Sequence, residues 1–339
     1  MTPGKYGRVP PEACNSYYSF DPNFSAAVGV GALFGIVSIA HLVLGFAWRK
    51  GFTWVIIMGS LWETFSFVVR ALGAHDQQNL AYAIVSQLLL LLAPLWVNAF
   101  AYMLLGRMIH FYLPSKSLFG IKAPAVARYF VCFDILSFIV QGIGGSMISP
   151  GSSQETIMKG IHVYMGGIGL QELFLLIFSL LVVRFQRQMS RGIALKEIAP
   201  KEGWRRLTGT LYAVLTLITV RIIYRLVEYA SGIKPSNPIP YHEAYTYGLD
   251  ALPMFLAITV LCIMHPGRFL RGPDSVFPKK TRAEKRAEKR EKKAKKEAER
   301  EEKRGRKEAE REQKRERREG GRSGEDLERG VWEREAIRE

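Results

Sequence analysis

The chain has 339 residues, a formal net charge of +16 and 48% hydrophobic residues. Its charges are unevenly placed: residues 266–339 carry 27 Lys/Arg and 19 Asp/Glu, whereas residues 1–265 carry only 20 and 12, about half the charged fraction of an average soluble domain. An apolar body with a polar tail argues against a two-domain soluble enzyme, and three scattered cysteines, Cys14, Cys132 and Cys262, are too few for a disulfide scaffold or a metal knuckle.

Residues 1–25 contain Pro, Asn, Asp and several Tyr but no apolar core, so a cleavable signal peptide is not expected and the first helix serves as signal anchor. Asn23-Phe24-Ser25 is a formal glycosylation sequon, but it abuts the first helix and is expected to be unused. Seven apolar stretches follow, each long enough to cross a ~30 Å hydrocarbon core as a helix. They are Ala26–Ala47, Phe52–Leu72, Leu80–Leu105, Val126–Ile148, Ile161–Val183, Leu207–Tyr229 and Tyr245–Met264. None shows the alternation of a barrel strand. The expected fold is an all-α membrane protein, a seven-transmembrane-helix bundle. The domains are an N-terminal segment 1–25, a helical domain 26–265 and a tail 266–339.

The connections 48–51, 106–125 and 184–206 hold 12 Lys/Arg, against 4 in the opposite set. The positive-inside rule then places the N-terminus outside and the tail in the cytoplasm. Trp48, Trp54, Trp204 and Tyr212 flank helix ends on the basic side, as interfacial aromatics do. The tail from 282 to 319 is almost wholly Lys, Arg, Glu, Ala and Gln, without the apolar seam of a coiled coil. Pairs such as Glu288–Lys292, Glu291–Lys295, Glu299–Lys303 and Glu310–Lys314 suit a solvated single helix, with disorder as the alternative. Lysines of 279–290 could also contact anionic lipid.

The informative residues are polar groups inside the spans, each costly in hydrocarbon unless it faces protein or water. Helix two carries Glu63 and Arg70, and helix three carries Gln87 and Asn98. Helix four has Asp134 and Gln141, helix five has Gln171 and Glu172, and helix seven has Asp250. Helix six has Arg221, Arg225 and Glu228 on one stripe. Two readings are open. Ion pairs could hold the bundle in register, or the groups could line a polar cavity for the head group of an amphipathic molecule. Five acids against three arginines would suit an amine head group, or a proton. Small residues (Gly31 and Gly35; Gly142, Gly144 and Gly145; Gly166, Gly167 and Gly169) are expected at close helix approaches, and Pro94 and Pro253 at kinks.

Six histidines, His41, His75, His110, His162, His242 and His265, form no HExxH or Cys/His cluster. No Walker A motif and no GxSxG occur. Neither an enzyme nor an ATP-driven pump is therefore expected, and no cofactor or metal.

In this order and spacing the residues resemble a known family. The matching pieces are Tyr6-Gly7 with Pro10, His41, Glu63 with Arg70, Gln87 before Leu90-Leu91-Leu92-Ala93-Pro94, and Tyr102 with Leu105-Gly106-Arg107. Asp134-Ile135-Leu136-Ser137-Phe138 with Gln141 and Gly144-Gly145 follows, then Gly169-Leu170-Gln171 with Phe174. Arg221, Tyr224-Arg225, Glu228-Tyr229 and Gly232 come next, then Glu243, Tyr247, Asp250 and His265-Pro266-Gly267. The chain resembles the fungal lipid-translocating exporter family, seven-span proteins named for resistance to aminocholesterol. Tyr224 stands where that family often has Phe, and the tail lies outside the resemblance.

The resemblance implies a fungal integral protein of the plasma membrane, linked to export or flipping of sphingoid long-chain bases, tolerance of sterol-like drugs and porphyrin uptake. The expected function is translocation of an amphipathic lipid or lipid-like toxicant, giving efflux or drug resistance without an ATPase of its own. The alternative is a seven-helix receptor signalling through its tail. Candidate path residues are Glu63, Arg70, Gln87, Asp134, Gln141, Gln171, Glu172, Arg221, Arg225, Glu228 and Asp250. The expected partners are membrane lipids or amphipathic small molecules, not nucleic acid; the oligomeric state is left open.

Overall fold

The computed structural model describes residues 2–10, 16–148, 153–199, 201–230, 237–272, 275, 277 and scattered positions between 290 and 305. The chain divides into two compact units, Met1–Phe277 and Pro278–Glu339. The described positions of the second unit are helical. At least one member of each tail pair named above lies outside the described residues, as do Cys14, Gly232 and most of 279–290.

The first unit holds seven helices long and apolar enough to cross a membrane. They are α1 (Phe24–Ala47), α2 (Trp54–His75), α3 (Leu80–Tyr112), α4 (Ala123–Met147), α5 (Gln154–Ala194), α6 (Trp204–Ala230) and α7 (Glu243–Arg268). A two-residue hairpin, β1 (Ser117–Leu118) and β2 (Ile121–Lys122), joins α3 to α4. Each helix packs on its sequence neighbour, α7 returns to α1, and α3 also reaches α5 and α6. One face of the bundle carries the N-terminal segment and the even-numbered connections. The opposite, basic face carries the odd-numbered ones.

The residue distribution is that of a membrane protein. On α1, Ile36 and Phe46 are 64% and 76% exposed, while Ser38 and His41 are buried with Phe34. Apolar groups thus face outward to lipid and polar ones inward, where helices alone can satisfy the backbone. Helix starts carry local caps: the Asn23 side chain accepts from the Ala26 N–H at 3.0 Å, Asn79 from Ala81 at 3.1 Å and Ser153 from Thr156 at 3.2 Å.

Without a hydrophobic drive between helices in lipid, close backbone approach matters most. The α4–α5 contact shows it at two glycines. A Cβ on Gly144 would lie 2.8 Å from the Gly160 carbonyl oxygen, and one on Gly167 would lie 2.8 Å from the Gln141 nitrogen. Gly142, Gly145, Gly166 and Gly169, expected at such contacts, instead have open space beside them. They lie on the faces of α4 and α5 turned away from this contact.

Two helices depart from the hydropathy outline. Helix α5 has 41 residues, about 60 Å at 1.5 Å per residue, so it runs well past the apolar window Ile161–Val183. The window ends at Arg184, but the polar residues after it remain good helix formers. Helix α7 is composite. A turn at Glu243–Tyr245 leads into a π-helical stretch, Thr246–Ala251, then an α segment, Leu252–Ile263, and a 3-10 turn, Pro266–Arg268. Pro253 lies just after the π stretch; it lacks an N–H and frees the carbonyl of Leu249.

The chain after α7 stays with the first unit. Leu270 is buried, Lys50 Nζ donates to Ser275 Oγ at 2.8 Å, and the Arg107 guanidinium is sandwiched between Phe52 (3.9 Å) and Phe277 (4.9 Å). Burial, with Arg107 adding in the same direction, pushes the Lys50 ammonium down.

Candidate functional site

The N-terminal segment lies across one end of the bundle. Tyr6 and Phe24 stack on His75 at 4.5 and 4.1 Å, Gln77 N donates to the Tyr6 carbonyl at 3.0 Å, and Gln78 Nε2 donates to the Gly7 carbonyl at 2.9 Å. Ser19 Oγ donates to the Pro240 carbonyl at 2.9 Å, reaching across to the start of α7. Tyr18 is buried, and burial pushes its phenol up while Arg70 pulls it back.

Beneath this segment is a cavity of about 510 Å³ bounded by α2, α3, α4, α6 and α7. Its polar lining includes Arg70, Gln87, Arg225 and Glu228, and its apolar lining includes Leu80, Ile84 and Leu88, all nearly half exposed on the outside of α3. A smaller void lies deeper, lined by Gln141, Gln171, Tyr164, Arg221 and Arg225. Gln141 Nε2 donates to Gln171 Oε1 there at 3.0 Å. Arg225 faces both spaces.

The charges behind the cavity form a connected set. Arg225 donates to Glu228 Oε2 at 2.7 Å and to the Tyr164 hydroxyl at 3.0 Å, and its guanidinium is 3.8 Å from Asp250 Oδ2. Arg221 pairs with Asp250 Oδ1. Arg70 pairs with Glu243 at 3.4 Å, while Glu243 also accepts from the Tyr247 hydroxyl (2.9 Å) and the Asn23 N–H (2.8 Å). The π stretch of α7 carries Asp250 at the pair with α6. Proline chemistry places the other end of Arg221. Pro94 has no N–H, so the Leu90 carbonyl lacks its helical donor, and Arg221 Nη2 donates to it at 3.3 Å.

Glu63 stands apart within this set. It is fully buried, neither oxygen meets a hydrogen-bond donor among the described residues, and the charges acting on it there are those of Arg221, Asp250 and Arg70.

Four expected path residues, Glu63, Asp134, Glu172 and Asp250, line neither the cavity nor the smaller void. Among the described residues Asp134 is held by α3, through Asn98 Nδ2 at 3.1 Å and the Tyr102 hydroxyl at 3.1 Å, and no cation there pairs with it. Glu172 accepts from Thr219 Oγ1 at 3.1 Å between α5 and α6 and is half-buried. Conversely, charge counting within the spans passed over Glu243, which sits at the very start of α7, and Tyr164, whose hydroxyl carries no charge signal. Among the described residues no group of three or more His, Cys, Asp or Glu comes together as a metal site. His41 and His265 are both buried near the basic face, with ring centroids 6.4 Å apart; His41 Nε2 meets the Ile258 carbonyl at 3.0 Å and His265 Nδ1 accepts from Gly267.

The family model described as "RTA1 like protein" matches residues 56–273, most of the helical body. The chain belongs to the RTA1-like family. It is an integral, multi-pass membrane protein. It is 45% identical to the "Probable lipid transporter atnI" of Emericella nidulans, over 84% of this chain and 76% of that protein. It is 30% identical to "Protoporphyrin uptake protein 1" of Saccharomyces cerevisiae, over 60% of this chain and 65% of that protein. It is 27% identical to the "Sphingoid long-chain base transporter RSB1" of Saccharomyces cerevisiae, over 78% and 77%. No solved structure matches the chain. The RTA1-like match contains every charged residue of the cavity wall, whereas Tyr18 and the segment over the cavity lie before it.

Proposed function

We propose that this RTA1-like protein translocates an amphipathic lipid with an amine-bearing head group, of the sphingoid-base class, or a toxicant of that shape. The observation that carries the reading is the cavity under the N-terminal segment. It combines a polar lining of Arg70, Gln87, Arg225 and Glu228 with an apolar lining of Leu80, Ile84 and Leu88 that continues onto the lipid-facing side of α3. A single-chain amphiphile needs that combination, a wet place for its head and an apolar surface for its tail. Two of the relatives are named as lipid transporters, one of them for sphingoid long-chain bases.

Glu228 would meet the ammonium. Its carboxylate already accepts from Arg225 at 2.7 Å, so a cargo cation competes with Arg225 for it. Arg225, facing both the cavity and the Gln141–Gln171 void, would then swing between them and pass the head group inward or outward. We place the N-terminal face outside and the tail in the cytoplasm, on the Lys/Arg asymmetry, and the protein in the plasma membrane. Transport is passive or ion-coupled, and its cellular consequence is efflux and drug tolerance.

The test is efflux of a fluorescent sphingoid base from cells making the intact chain, Glu228→Gln, or no added protein. Faster efflux with the intact chain and loss of that gain in Glu228→Gln supports the reading. Efflux equal to that of empty cells, at confirmed surface expression, removes sphingoid bases as cargo.

A further inference from the structure

A second cavity, of about 930 Å³, lies outside this path. It is an open groove on the basic face, between the α3–α4 connection and the extension of α5. Arg184, Arg187 and Arg191 line it together with Ser115 and Ser190, and Glu197 is its acidic residue. All three arginines are exposed, and among the described residues no carboxylate lies within ion-pair distance of any of them. Three unpaired guanidiniums against one carboxylate in one concavity make an anion site, and their planar forks match phosphate oxygens.

The position along α5 says which phosphate. Leu173, Ile177, Leu180, Arg184, Arg187 and Arg191 follow one another at steps of three and four, so they form a single stripe on the helix. The first three are exposed apolar residues, Leu180 at 66%. The change from Leu180 to Arg184 therefore marks the hydrocarbon boundary on this face. An acyl chain lying on the lower stripe would bring its phosphate to Arg184 and Arg187.

The hairpin beside the groove agrees. Phe119 and Gly120 form its two-residue turn, with φ of +50° and +75°. A turn with both residues left-handed usually takes Asn-Gly, and a phenylalanine there is strained. Phe119 is nevertheless 68% exposed, and Arg184 lies 5.2 Å from its ring centroid. An aromatic at a strained, exposed tip beside an arginine is suited to insertion at the headgroup level.

We propose that this groove binds the phosphate-bearing head group of an anionic phospholipid in the leaflet on the basic face. The inference does not depend on the cargo of the N-terminal cavity, and its test reads binding alone. The intact purified chain is reconstituted into phosphatidylcholine nanodiscs with or without phosphatidylinositol 4-phosphate, and the lipid retained is measured by native mass spectrometry. The double variant Arg184→Gln/Arg187→Gln is compared with Arg205→Gln/Arg206→Gln, which removes the same charge from the same face outside the groove. A hydrogen bond from a guanidinium to a bound phosphate contributes about tenfold or more, so the groove variant should retain the lipid about 100-fold less well. The control pair should stay close to the parent. Equal losses in both variants would reduce the effect to diffuse surface attraction and overturn the site. Full displacement of the lipid by inorganic phosphate would overturn the lipid assignment in favour of a soluble anion.

Discussion

Asp250→Asn tests how the buried charges are apportioned. The carboxylate of Asp250 serves two guanidiniums, pairing with Arg221 and lying 3.8 Å from Arg225. Arg225 keeps Glu228 at 2.7 Å and the Tyr164 hydroxyl at 3.0 Å when Asp250 is neutralised. Among the described residues Arg221 keeps only the Leu90 carbonyl at 3.3 Å as a hydrogen-bond partner. The uncompensated charge is therefore that of Arg221. Removing one partner of a buried pair costs about 3 kcal/mol, which for a helical body of this size lowers Tm by about 10 °C. Adding Arg221→Gln removes the stranded charge, so the double variant should be more stable than Asp250→Asn alone, with a coupling energy above about 1 kcal/mol. Adding Arg225→Gln instead should give no such recovery, because it strips Glu228 of its cation. Thermal unfolding of the parent, Asp250→Asn, Arg221→Gln and the two double variants in one detergent decides the matter. A double variant with Arg221→Gln that melts no higher than Asp250→Asn would refute the pairing.

Other outcomes follow from the same geometry. Gly144→Ala should destabilise by about 1–3 kcal/mol through overpacking against α5, whereas Gly142→Ala, with open space beside it, should stay within about 0.5 kcal/mol; paired melting curves check both. Asp134→Asn should lower Tm, since Asn98 and Tyr102 both donate to it, yet leave efflux per folded molecule at the parent level. Reduced efflux at unchanged Tm would return Asp134 to the path. Deleting residues 279–339 should leave efflux intact, as measured at matched surface expression; loss of efflux would give the tail a part in transport.

The seven spans were legible because apolar windows about 20 residues long can only be helices in lipid. Their ends were less so. The window of α5 closes at Arg184 while the helix runs to Ala194, since hydropathy reports the solvent and not the backbone. The buried charges could be chosen by their cost in hydrocarbon, and Arg70, Gln87, Arg225 and Glu228 do come to one cavity. Asp134 carries the same cost but points into a cage made by Asn98 and Tyr102. Helix rotation decides between these fates, and a helix that is apolar nearly all round gives little periodic signal to fix it. Arg221 meeting the Leu90 carbonyl needed both the Pro94 break and the α3–α6 contact, and only the first is written in the chain. The closure of the cavity by Tyr18 and Ser19 had no local sign either, because that segment has neither helical nor strand periodicity.

The most direct test uses the purified chain in proteoliposomes carrying a fluorescent sphingoid base, with transbilayer movement followed by quenching from one side. The intact chain should speed movement over protein-free vesicles, and Glu228→Gln and Arg225→Gln should return it to the protein-free rate in vesicles whose protein is confirmed folded. Movement no faster with the intact, folded chain than without it would contradict translocation by this protein.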